Sequence, residues 1–171
     1  MLKKIVVPLD GSLIAEQALD RVEQILAKNG QLILLSVIEI PNDYDYGLVD
    51  IPMTLVMAKQ YSEQEYQNTQ QRVEDYLIQA EKRFTAKGYL VEKIIETGDP
   101  ATVINAIAEQ KNADAIMMTT HGRTGLNRFL FGSVTQKVMS NMVCPVMVIP
   151  KKVVDKVKVS IQSGREIPAT S

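Results

Sequence analysis

Two short runs constrain this chain most: Lys3–Leu9 (KKIVVPL) and Leu32–Val37 (LILLSV) are dominated by β-branched and aliphatic residues. A half-solvated strand alternates apolar with polar. A run that does not alternate needs cover on both faces, as a central strand of a parallel sheet has. Between the two runs, Ala15, Ala18, Leu19, Val22, Ile25 and Leu26 recur at helical spacing. Ser12 is placed to cap that helix and Asn29-Gly30 to stop it. Strand, helix, strand is the unit that builds a parallel sheet with right-handed crossovers.

The unit continues down the chain. Residues 61–87 read as a helix, with Tyr66, Val73, Leu77, Ala80 and Phe84 on one stripe and Gly88 as its stop. Tyr89–Ile95 reads as a third strand. Asp99-Pro100 is a helix start, Asp as N-cap and Pro at the first helical position. Val103, Ile104, Ile107 and Ala108 then face the sheet. Ala113–Met118 is the fourth strand, and Val134, Val138, Met139 and Met142 mark the last helix. Pro145–Pro150 is a fifth strand bracketed by prolines, hence an edge. Segment 41–60, rich in turn residues and broken by Pro52, reads as an irregular cover over the sheet; the sharper alternative is a mobile flap over a pocket. The pattern predicts a doubly wound α/β domain over residues 1–151, with helices on both faces of a five-stranded parallel sheet. Residues 152–171 form a polar tail expected to be loosely ordered.

Composition removes several functions. Lys plus Arg is 19 against 20 for Asp plus Glu, a net charge of −1, so nothing favours nucleic acid or an anionic membrane as a partner. One His and one Cys leave little for a metal site and nothing for an intrachain disulfide. The N-terminus lacks a secretory h-region, and no apolar run is long enough to span a bilayer, so the expected compartment is the cytoplasm.

The stretch Ala115–Ser133 carries the chemistry. It runs from an apolar strand through a polar turn containing Gly122 and Gly125 to Gly132-Ser133 at a helix start. Such a loop lets backbone N–H groups converge on an anion, and its glycines allow positive φ and close approach. Ser133-Val-Thr-Gln136 fits a capping box with Ser133 as N-cap. The same features serve a plain strand-to-helix turn. In doubly wound sheets, ligands bind outside the C-terminal strand ends where strand order reverses. Asp10, Val37 and Thr119 sit at three such ends. The Walker A pattern is absent, and the turn after the first strand is Asp10-Gly-Ser rather than a dinucleotide fingerprint.

Ile5-Val-Val-Pro-Leu-Asp-Gly-Ser12 resembles the opening of universal stress protein domains. Thr120-His-Gly-Arg-Thr-Gly-Leu126, Phe131-Gly-Ser-Val134 and Cys144-Pro-Val-Met-Val-Ile149 resemble their closing half. The resemblance implies an adenine nucleotide alpha hydrolase-like fold with strand order 3-2-1-4-5, and a homodimer joined through the strand at Pro145–Ile149. It implies binding of ATP, or of AMP or ADP in its place, with Mg or Mn carried on the phosphates. By the same resemblance, Pro8 is a nucleotide-binding residue, Asp10 lies beside the ribose or phosphates, the Val37 backbone meets the adenine edge, and Met118 and Thr119 flank the sugar. Gly122, Arg123, Gly132, Ser133 and Val134 hold phosphates. Family members that bind ATP have Gly, two residues, Gly, nine residues, then Gly-Ser or Gly-Thr; here the first glycine is Thr119, while Gly122 and Gly132-Ser133 keep the rest. A threonine there adds a β-carbon beside the ligand and disfavours positive φ.

Three functions follow from these residues. One is a nucleotide-dependent stress-response module, another a dimeric scaffold that has lost ATP, and the third a slow ATPase. No general base or metal–carboxylate cluster stands out beyond Asp10, so efficient catalysis is not expected. His121 reads as a turn or hydrogen-bonding residue rather than a base. Arg123 is a phosphate clamp or a surface group, Arg128 a surface group, and Cys144 a small buried hydrophobe.

Overall fold

A computed structural model describes residues 1–39, 52–120 and 131–150. Strands β1 (Leu2–Pro8), β2 (Leu26–Ile38), β3 (Leu90–Thr97), β4 (Ala115–Thr119) and β5 (Val146–Ile149) form one sheet. Helices α1 (Leu13–Ile25), α2 (Pro52–Thr85), α3 (Pro100–Gln110) and α4 (Ser133–Ser140) fall between them. The sheet is all parallel, with order β3-β2-β1-β4-β5, as expected.

Side-chain alternation divides the core into two layers. Ile5, Val7, Leu32, Leu34 and Met117 point to α1 and α2, where they meet Ala18, Leu19, Val22, Leu77 and Phe84. Val6, Ile33, Leu35, Ile116 and Met118 point to the opposite face and meet Ile104, Ile107, Ala108 and Val138 of α3 and α4. This is why β1 and β2 lack polar alternation: both faces are buried.

The caps explain where the helices begin and end. The Ser12 hydroxyl accepts from the Ala15 N–H at 3.1 Å and starts α1. Asp99 caps α3, its Oδ1 accepting from the Thr102 N–H at 3.0 Å, with Pro100 first in the helix. After α2, the Gly88 N–H bonds Thr85 O and the Tyr89 N–H bonds Phe84 O, the two bonds of a Schellman stop, with Gly88 at φ 85°.

Four boundaries differ from expectation, one being the end of α4, which stops at Ser140 and leaves Met142 outside the helix and exposed. Helix α1 ends at Ile25, not at Asn29-Gly30, and the chain is extended from Leu26 onward. There β2 bulges, so that a step of two positions along β1 (Leu2 to Lys4) matches a step of five along β2 (Leu26 to Gln31). Asn29 takes the positive φ, 61°, while Gly30 is needed for space: a Cβ on it would lie 2.7 Å from Leu26 Cδ1 and 2.8 Å from Ala27 O. Helix α2 starts at Pro52, nine residues before the stripe at residue 61. Pro52 thus opens a helix rather than breaking an irregular cover, because the first helical N–H has no partner to lose. Finally, α4 is capped by Gly132 rather than Ser133. The tail and residues 41–51 of the expected cover lie outside the described residues.

Candidate functional site

Strand order reverses between β1 and β4. Their pairing covers only Ile5 with Ala115 and Val6 with Ile116, although the strands run on to Pro8 and Thr119. On its other side β1 stays paired with β2 as far as Pro8–Leu35. The two central strands therefore part at their C-terminal ends, and a cleft of about 500 Å³ opens there. That volume lies within the range of small-ligand sites, ~300–1,000 Å³.

The expected residues meet in this cleft. Pro8 and Asp10 enter from β1 and its turn, Val37 from β2, and Met118 and Thr119 from β4. Gly132, Ser133 and Val134 enter from the start of α4. Gly122, Arg123, Gly125, His121 and Arg128 lie outside the described residues. Thr69 and Val73, which carry no site motif in the sequence, wall the cleft from α2. The signal was available in part, since Val73 belongs to the apolar stripe and Thr69 lies one turn before it. Pro100 and Ile104 close the opposite side from α3.

Asp10 also serves its turn: Oδ1 accepts from the Ser12 N–H at 3.0 Å, and Gly11 supplies φ 77°. Thr119 is the last residue of β4, extended and paired with Ile149, and it is not among the residues with positive φ. The conformational objection to a threonine there does not arise in this structure, and Thr119 is only 7% exposed at the cleft edge.

The start of α4 is held against β4. The Gly132 N–H donates to Thr120 O at 2.6 Å, and the Thr135 hydroxyl donates to Thr119 O at 3.1 Å. Gly132 is extended (φ −67°, ψ 161°), and its carbonyl takes the first helical bond from the Gln136 N–H. That is the physical reason the capping box fails: the tie to Thr120 makes Gly132 the last non-helical residue, so Ser133 is already inside the helix. Gly132 as N-cap brings no side-chain cap bond to this end. Its first residues line the cleft, and their amides have no intrahelical partners and sit at the positive end of the helix dipole. Among the described residues no Lys or Arg lines the cleft. The α4 N-terminus is therefore the feature among them that favours negative charge.

At the rim, Lys137 Nζ lies 3.2 Å from Asp99 Oδ2. The Asp99 carboxyl is held below its ordinary range, first by the Thr102 N–H, then by the Thr102 hydroxyl and Lys137. Under the α2 wall, burial above all, with the Glu16 and Asp10 carboxylates, pushes the Tyr76 phenol up. Cys144 is half-buried rather than fully buried, and desolvation raises its thiol above the usual range. No group of three or more His, Cys, Asp or Glu among the described residues could hold a metal ion. No helix among them is long and apolar enough to cross a membrane.

Comparison with known proteins agrees with this geometry. Residues 1–150 match the model of the universal stress protein family. Universal stress protein MJ0577 of Methanocaldococcus jannaschii is 34% identical over 157 residues, covering 89% of this chain and 97% of its own. The solved structure of MJ0577 superposes with a TM-score of 0.75 at 30% identity, over 88% of this chain and 97% of that one. More distant solved structures share the fold. A universal stress protein in complex with cAMP gives a TM-score of 0.58 at 21% identity, covering 86% of this chain and 96% of that one. A family protein from Arabidopsis thaliana with AMP bound gives 0.57 at 20% identity, covering 88% and 93%.

Proposed function

The chain belongs to the universal stress protein family, and from that premise we propose that it binds an adenine nucleotide, ATP foremost, in the crevice between β1 and β4. The observation that carries the reading is the 500 Å³ cleft at the parting strand ends, met by a helix start with no side-chain cap. Occupied structures of relatives, with cAMP in one and AMP in another, support it by kinship.

The cleft suits such a ligand in two parts. Val37, Ile38, Pro100, Ile104 and Met118 offer an apolar slot for a base. The amides of Ser133 and Val134 offer donors for phosphate oxygens. Asp10 would accept from ribose hydroxyls, and by the family resemblance Gly122 and Arg123, which lie outside the described residues, would hold the phosphates. With no acidic metal cluster among the described residues, a Mg or Mn ion would be carried by the phosphates themselves. Bound nucleotide would bring negative charge to the α4 end and apolar cover to the strand ends. The protein would act in the cytoplasm as a regulatory module whose surface depends on occupancy, rather than as an efficient enzyme.

The test is to denature freshly purified protein, chromatograph the released nucleotides, and titrate the emptied protein with ATP by calorimetry. Adenine nucleotide in the extract, or saturable heat, is the expected result. A folded protein that releases none and shows no heat at millimolar ATP would overturn the reading. The scaffold reading would then take its place, and Thr119→Gly would show whether the threonine is the obstacle.

A further inference from the structure

Helix α4 is short and thinly packed. Val138 is its one fully buried apolar side chain, and Val134 is only half-buried. Apolar burial alone therefore does not fix how the helix sits over the cleft, and polar contacts must. These differ in weight. The Lys137–Asp99 pair has side chains 64% and 46% exposed, a class of ion pair that contributes little. Asn105 reaches Val138 O at 3.5 Å, a long bond at the far end of the helix. The Gly132–Thr120 bond is backbone to backbone and independent of side chains. Thr135 remains: it is 3% exposed, and its hydroxyl donates at 3.1 Å to the carbonyl of Thr119, itself 7% exposed.

We propose that Thr135 is a positioning residue for the nucleotide cleft: through the Thr119 carbonyl, its hydroxyl seats the first turn of α4 and aims its free amides. The inference rests on the nucleotide reading above. Those amides bind only where they point, because a hydrogen bond weakens steeply once it bends. The dipole's attraction for an anion also fades within one turn. A small rotation of α4 would therefore cost affinity while leaving the sheet intact. Any threonine in this place could be merely a satisfied core residue, so its effect on stability alone decides nothing.

The experiment compares wild type, Thr135→Val and Thr135→Ser. Valine keeps the shape and removes the donor; serine keeps the donor. ATP affinity is read by calorimetry, and amide hydrogen exchange is read on the empty proteins. Thr135→Val is expected to bind ATP about tenfold more weakly, with the amides of residues 136–139 exchanging about tenfold faster while the sheet exchanges as before. Thr135→Ser is expected to stay within about threefold of wild type on both measures. Wild-type affinity in Thr135→Val overturns the proposal, as does faster exchange spread over the whole sheet. If wild type itself takes up no ATP, the nucleotide reading falls on its own. The exchange pattern then still decides: unchanged protection of residues 136–139 in Thr135→Val means that Thr135 does not seat the helix.

Discussion

Among the described residues the Tyr76 hydroxyl is sealed from solvent and makes no well-formed hydrogen bond, although the Glu16 carboxylate lies close enough to act on it. The Glu16 and Asp10 carboxylates lie near enough to keep it protonated. A buried hydroxyl left without a partner costs about 1–3 kcal/mol, so deleting it should help. Tyr76→Phe keeps the ring's packing against the core beneath α2 and is expected to raise stability by about 1 kcal/mol. A urea titration with unchanged slope would read this as a higher midpoint; a lower midpoint would mean the hydroxyl has a partner in solution. Tyr76 lies three residues after Val73 and four before Ala80, on the same helical face, but periodicity says nothing about where its hydroxyl ends. Asp10 was legible because turn chemistry and strand ends are both local. The cap at Gly132 was not, because the bond that decides it goes to Thr120, twelve positions earlier in the chain.

At the scale of elements, the same contrast holds. Asp99-Pro100 and Ser12 were read correctly because a cap needs only its own next three residues. The end of α1 was misread because Leu26 continues the helical spacing but is claimed by β1, pairing with Leu2 in the sheet. Tertiary pairing overrode a local period. Asp114 shows what such pairing can hang on. Just before β4, its Oδ2 accepts from the Lys3 N–H at 2.6 Å and the Lys4 N–H at 2.9 Å, tying the start of β1 to that of β4. These bonds, Lys3 first, hold the carboxyl below its ordinary range. A carboxyl depressed in the folded state stabilises it above about pH 4, and that contribution is lost as pH falls through the folded value. Asp114→Asn should therefore be less stable than wild type at neutral pH, by about 1 kcal/mol given its exposure. The gap should close between about pH 5 and pH 2. Denaturant titrations across that range check it, and a gap that stays constant with pH would show that the charge is not responsible.

For the whole molecule, the order β3-β2-β1-β4-β5 leaves two edges, and they are not alike. The β3 edge carries Glu92 and Lys93, tied to Lys111 and Glu81. Charge of this kind discourages another strand from pairing there. The β5 edge is Val-Met-Val-Ile with no charge, and beside it Met142 and Val143 are 59% and 44% exposed. An uncharged edge next to exposed apolar side chains suits a second copy of the chain, as the family resemblance implied. The register says which groups are free for it. The Ile116 N–H bonds Pro145 O and the Thr120 N–H bonds Ile149 O, so alternate residues of β5 face β4. Val146 and Val148 then turn their backbone N–H and C=O outward. Val148→Pro removes an outward donor and leaves the ladder to β4 whole, which an edge strand tolerates. Light scattering should give a dimer for wild type and a folded monomer for Val148→Pro. A wild-type monomer at tens of micromolar, or a variant that stays dimeric, would place the contact elsewhere. Titrating both proteins with ATP then separates the two scales: the cleft is built within one chain, so a folded monomer should keep its affinity within about threefold, and a larger loss would mean that the partner helps to complete the site.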